Sequence, residues 1–310
     1  MFIQLFRNRL SQSPKLRSKT RALESVIATH INQNESDIVK EFAAEWTRHR
    51  YIDLEPLTLN GNLHYLWIEF SQWPTHGYAI GVHDSLEIDS EKIDYSTEYG
   101  DVAIIVDYLF EKIHIIRKVS IIQTKKEKRR NEAEITLHQL YLMQNWPTVN
   151  FPDGTRYQFN GLNADEFSFY HIILNHSQNP QFSSSIISAP LIGYLLGADK
   201  HYLESKLKNW MLERKTNPHK SPPSDTLRSD FLPGAIFKTN NYQRWDLVPR
   251  PMTRFLYDAA YLFVGTDHKN ILDLTCARIQ TILSMKVVAG REKRQTDEEE
   301  PYEGSNFVFR

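Results

Sequence analysis

A chain of 310 residues that is 41% hydrophobic and 24% charged has the make-up of one large α/β domain or two smaller ones, which excludes disorder along its whole length. Its net charge of −1 singles out no class of partner, and its one cysteine, Cys276, excludes an internal disulfide and a multi-cysteine zinc site. No apolar run approaches the roughly 18–20 residues that span a bilayer, and the apolar start precedes its charges, the wrong order for a secretory signal, so a cytoplasmic protein without a membrane partner is expected.

In chain order, the first thirty residues carry Arg7, Arg9, Lys15, Arg17, Lys19 and Arg21 against the single acid Glu24. Such a block is either a nucleic-acid contact or a solvated face. Residues 18–31 read as a helix within a helical lead, 1–34. Ser36 and Asp37 are placed to cap a second helix through Ile38–Arg50, where Ile38, Phe42 and Trp46 recur at helical spacing. Segments 63–70 and 78–83 read as strands around the turn-prone Trp73-Pro-Thr-His-Gly77. Gly100-Asp101 leads into Val102–Tyr108, whose β-branched apolar run predicts a strand buried on both faces. Ile113–Lys125 returns as one long strand or two shorter ones. Charged residues 126–134 then lead to a helix with Leu137, Leu140, Tyr141 and Gln144 that stops at Trp146-Pro147.

Phe167–Leu174 reads as a strand that closes the sheet, followed by a serine loop at 183–185 and a helix at 199–214. Asn217–Ser224 is a linker, and helices are expected at 252–264 and 269–285, with Cys276 as a small buried hydrophobe on the second. On this reading 181–290 is a mainly helical accessory region and 291–310 a flexible acidic tail.

Chemistry concentrates at Asp101, Gln123 and Lys125. Gln123 and Lys125 lie two apart on a strand and point to one face, while a hairpin brings Asp101 alongside. A Gln and a Lys placed in a buried sheet without a role would conflict with the cost of burying polar groups. A carboxylate with an amide oxygen holds a hard cation, and a lysine nearby serves a water or a phosphate, the set that phosphodiester hydrolysis needs. The cluster Lys126, Lys128, Arg129 and Arg130 is either a sequence-independent contact to a DNA backbone or the solvated start of the next helix. The histidines form no His-x-x-x-His pair, and neither a P-loop nor a dinucleotide fingerprint occurs.

The order Glu98-Tyr-Gly-Asp101, apolar strand, Ile121-Ile-Gln-Thr-Lys-Lys126 and a helix with Gln139-Leu140 resembles the PD-(D/E)XK nuclease superfamily. The similarity is to the variant with Gln in place of the second acid, known from bacterial and prophage defence proteins, and it covers about residues 35–175. It implies an α/β fold, a restriction-endonuclease-like mixed sheet flanked by helices at 35–180, with a mostly helical C-terminal region. It further implies Asp101, Gln123 and Glu98 as metal ligands, Lys125 as the catalytic lysine, and an acid from the first helix, Glu41 or Glu45. Gln139 would support the site by hydrogen bonding. The implied activity is magnesium- or manganese-dependent cleavage of DNA in defence against foreign DNA. Because this chain has no motor motif, control by an ATPase or sensor partner protein or by homo-oligomerisation follows from that resemblance. The competing expectation is a nuclease-like fold that no longer cleaves and serves as a nucleic-acid-binding or scaffold subunit.

Overall fold

Three helices open the chain in the computed structural model, which describes residues 2–73, 84–88, 91–95, 98–129, 131–174, 184–228 and 250–294. The strand expected at 78–83, Arg130 and the tail beyond Arg294 lie outside the described residues. Helices α1 (Phe2–Gln12) and α2 (Pro14–Thr29) meet at Ser13, whose hydroxyl accepts the Leu16 N–H, and Pro14 fills a first-turn position where no N–H is needed. Helix α3 (Glu35–Thr47) starts ahead of Ser36 and Asp37 because Asn34 is the cap, its Oδ1 accepting the Asp37 N–H at 2.9 Å.

Two antiparallel hairpins follow, β1 (Tyr51–Leu59) with β2 (Asn62–Gln72) and β3 (Asp84–Ile88) with β4 (Glu91–Tyr95). A third joins β5 (Val102–Phe110) to β6 (Ile113–Arg129) through Glu111 and Lys112, which sit at φ 48° and 70° in a two-residue turn whose twist suits antiparallel strands. β6 runs unbroken for 17 residues, so the charged stretch expected to be the start of a helix is strand instead and pairs with β7 (Glu132–Thr136). Then come α4 (Leu137–Asn145), β8 (Val149–Asn150), β9 (Arg156–Tyr157), a 3-10 turn at Ala164–Glu166, β10 (Ser168–Ile173) and β11 (Ser184–Ser188). The remaining elements are α5 (Ala189–Leu196), α6 (Lys200–Thr216), β12 (Ser224–Arg228), α7 (Met252–Ala260), α8 (Lys269–Arg278) and β13 (Thr281–Gly290).

The large sheet has the order β1-β2-β13-β5-β6-β10-β11, with β7 and β12 extending from the far end of β6, and a small sheet is ordered β4-β3-β8-β9. β13 with β5 and β6 with β10 are parallel, and the other neighbours are antiparallel. The molecule is therefore mixed α/β, a large mixed sheet flanked by helices. One face packs Ile105, Ile121 and Tyr170 against Leu140 of α4 and Leu203 of α6. The other packs Ile104, Ile122 and Phe169 against Phe6, Leu23, Trp46 and Phe255 from the early helices and α7. Each such fully buried aliphatic or aromatic side chain stabilises the fold by about 1.5–3 kcal/mol. No helix among the described residues is long and apolar enough to cross a membrane.

Two expectations for the second half of the chain are corrected here. The last helix stops at Arg278, and Thr281–Gly290, expected to begin as helix, is a strand seated between β2 and β5. Hydrogen-bonding partners on both sides override the helix-like composition of Ile282-Leu-Ser-Met285. Ser184 and Ser185, expected in a loop, are buried in β11. Among the described residues of 181–290, β11 and β13 pair within the main sheet. In the helical lead, Phe6, Leu10 and Leu23 belong to the same core as the strands.

Candidate functional site

Asp101 immediately precedes β5, and its backbone N–H donates to the Ile122 carbonyl at 2.9 Å, which sets it beside Gln123 on β6. Gly100 makes this approach feasible. A Cβ there would lie 2.6 Å from the Ile121 Cγ2 and 3.3 Å from the Ile122 carbonyl oxygen, so any side chain would push the strand start away. The Gln123 amide Nε2 donates to Asp101 Oδ2 at 2.7 Å, and the Thr124 N–H donates to the same oxygen at 2.5 Å. Gln123 is 2% exposed, and its Oε1 is buried with no hydrogen-bond partner. An unsatisfied acceptor of this kind is costly unless something else fills the gap.

The two residues line a cleft of about 190 Å³ together with Lys125, Glu98, Glu35 and Arg278. Burial is the main influence on Asp101 and pushes its carboxyl up to about 7. The Thr124 N–H and Lys125 pull the other way, while Glu98 and Glu35 add to the rise. Asp101 is thus a carboxylate answered by neutral donors and crowded by two more acids, an arrangement that a cation would relieve.

The structure brings Asp101, Gln123, Lys125 and Glu98 to one cleft and leaves other expected residues elsewhere. Glu45 is not in it: ten residues of helix, about 15 Å, separate it from Glu35, and it pairs with Arg48 at 2.9 Å. Glu41 is exposed midway along the same helix. The acid that α3 does supply is Glu35, from its first turn, where Oε1 accepts the Lys126 N–H at 2.8 Å. An acid beside a possible Asn cap was the only sequence signal for it. Gln139 lies buried on α4 with its Oε1 unpaired. Tyr170, register partner of Gln123 on β10, is fully buried with an unpaired hydroxyl, and burial followed by the Asp101 charge raises its pKa.

Arg278 is the second residue that sequence reasoning missed. It ends α8, and Nε and Nη2 each donate to Asp84 at 2.8 Å. Tyr99 donates to the same carboxylate, and the guanidinium lies 3.7 Å from the Phe151 ring centre. These contacts fix one wall of the cleft. The basic run divides. The Lys126 ammonium donates to the Gln33 carbonyl at 2.8 Å and ties β6 to the turn before α3, Lys128 pairs with Glu134, and Arg129 is exposed at the strand end.

As donors, Asp101 and the Gln123 Oε1 suit a hard cation, with Glu35 and Glu98 lining the same cleft. Among the described residues, no three His, Cys, Asp or Glu side chains group closely enough to hold a metal by themselves. No protein-family model, curated protein or solved structure matches this chain.

Proposed function

We propose that the chain is a magnesium-dependent DNA endonuclease, the cleaving component of a system directed against foreign DNA. The observation that carries this reading is the Asp101–Gln123 pair, a half-buried carboxylate bonded to a buried amide whose oxygen has no partner, lining a cleft that also holds Lys125. Asp101 and Gln123 would hold magnesium or manganese, assisted by Glu35 or Glu98. The bound cation would supply charge stabilisation at the phosphoryl oxygens and lower the pKa of water. Lys125 contributes a cation for the phosphate or a donor to orient the attacking water. Gly100 and the Thr124 N–H keep Asp101 in place, and the Asp84–Arg278 pair keeps the facing wall rigid. Arg129 and Lys128, at the end of β6, extend positive charge away from the cleft toward a DNA backbone. A sensor or ATPase partner, or self-association, would then govern when cleavage occurs.

A second reading, a nuclease-like subunit that binds nucleic acid without cutting, is favoured by the lack, among the described residues, of a group of three strong metal donors. A plasmid-nicking assay with magnesium separates the two. Metal-dependent nicking by the wild type, lost in both Asp101→Ala and Lys125→Ala, supports the enzyme. DNA binding without nicking, unchanged by either substitution, excludes it.

A further inference from the structure

Helix α6 carries five lysines or arginines against two acids, and both acids are engaged, Glu204 with Lys200 at 3.6 Å and Glu213 with Lys220 at 2.9 Å. One ridge of the helix alternates aromatic and cationic side chains at four-residue steps: Tyr202, Lys206, Trp210 and Arg214. Side chains four apart lie on successive turns of one face, so the row spans roughly 18 Å. The Lys206 ammonium lies 5.3 Å from the centre of the Tyr202 ring, and the Arg214 guanidinium lies 5.0 Å from that of Trp210. Both rings are partly buried, packed at the rim of the core, while Lys206 is exposed.

The Trp210 end of this row packs on a helix that feels the charge of the candidate site's Lys125. His138 on α4 stacks on Trp210 with ring centres 5.5 Å apart and planes 22° apart. Burial, with the charges of Lys125 and Arg214 close by, lowers the His138 pKa to about 4, so the ring is neutral at pH 7. The charge of Lys125 thus reaches His138, which stacks on Trp210 of the ridge.

We propose that the α6 ridge is a binding track for single-stranded nucleic acid, with bases stacking on Tyr202 and Trp210 and phosphates held by Lys206 and Arg214. Interleaved aromatic and cationic side chains are what sequence-tolerant strand binding uses, because every base has a π-face and every nucleotide a charge. The two cations that now rest over the rings can swing to phosphates as bases take the ring faces. Cation–π pairing accounts for the contact within each of the two pairs. It does not account for a row of four on one ridge beside three further lysines, Lys200, Lys208 and Lys215. The track's role as a substrate path rests on the nuclease reading, but its binding of a strand does not.

The test is fluorescence anisotropy of a labelled oligothymidylate with the full chain in EDTA, so that no cleavage is involved. Lys206→Glu, at an exposed position, is expected to weaken binding about tenfold and to reduce the salt slope by about one or more. Arg214→Ala and Tyr202→Leu should each weaken it about fivefold or more. Thermal melting checks that the variants are folded. Binding equal to wild type in both Lys206→Glu and Arg214→Ala overturns the track. A duplex of the same length that competes as well as the single strand also overturns it, as does sedimentation with anionic phospholipid vesicles without oligonucleotide binding. Nicking that persists when strand binding is insensitive to α6 removes the track alone, whereas intact strand binding without nicking removes the enzyme reading alone.

Discussion

The hairpin of β5 and β6 carries an aspartate near each end, Asp107 buried and Asp101 half-buried, and the two are satisfied in different ways. Asp107, 1% exposed, receives Arg117 Nε at 2.5 Å and Nη2 at 3.1 Å, and His114 lies 3.1 Å from the same carboxylate. Asp101 receives only the neutral Gln123 amide and Thr124 N–H, both on one oxygen. A guanidinium supplies two parallel charged bonds and closes the account of a buried acid. Neutral donors leave the charge answered only in part, by the nearby Lys125, and the orphaned Gln123 oxygen beside it points the same way. The difference teaches that burial alone does not mark a functional acid; what sets Asp101 apart is that its bonded donors are neutral and the nearby Lys125 acts on it only through its charge.

The largest expected effect tests that contrast directly. Asp101→Ala should lower magnesium-dependent nicking on the order of 1,000-fold while the protein stays folded, and Lys125→Ala on the order of 100-fold. An equal loss per folded molecule in Asp107→Ala would break the comparison. Asp107→Ala should instead destabilise the fold by about 3–5 kcal/mol in chemical denaturation, because it leaves Arg117 without its partner.

A pH series sharpens the contrast from the other side. The folded Asp101 holds its proton up to about 7, whereas the unfolded carboxyl releases it near 3.8. The native state therefore binds more protons across that window, and metal-free stability falls as the pH rises from about 4 to about 7. Magnesium should restore stability at pH 8, and Asp101→Asn should flatten the profile and abolish the magnesium effect. Thermal melts at several pH values, with and without the cation, measure both. A wild-type melting temperature indifferent to magnesium at pH 8 would count against a cation at Asp101.

Smaller effects separate the two acids of α3. Glu35→Ala should weaken the magnesium dependence of nicking about tenfold, and Glu45→Ala should leave it unchanged. Smallest of all, Lys128→Ala should shift stability by less than about 1 kcal/mol, since its pair with Glu134 is exposed.

Much of the hairpin was legible because its determinants are local. Two-residue alternation put Gln123 and Lys125 on one face, the β-branched run marked β5 as buried, and Gly100-Asp101 marked the strand entry. Glu35 escaped because an acid in a first helical turn is ordinary unless one knows what the helix start abuts, here the Lys126 N–H.

The sequence by itself determined the order of these elements and the acid, amide and lysine that the hairpin carries, since side-chain alternation and the cost of polar burial act over a few residues. Tertiary structure decided the rest. It seated β13 between β2 and β5, brought Arg278 from nearly 180 residues away to wall the cleft, and chose Glu35 over Glu45. Those outcomes depend on which sheet positions and helix faces remain to be covered after the local pieces form, and no short-range pattern encodes that.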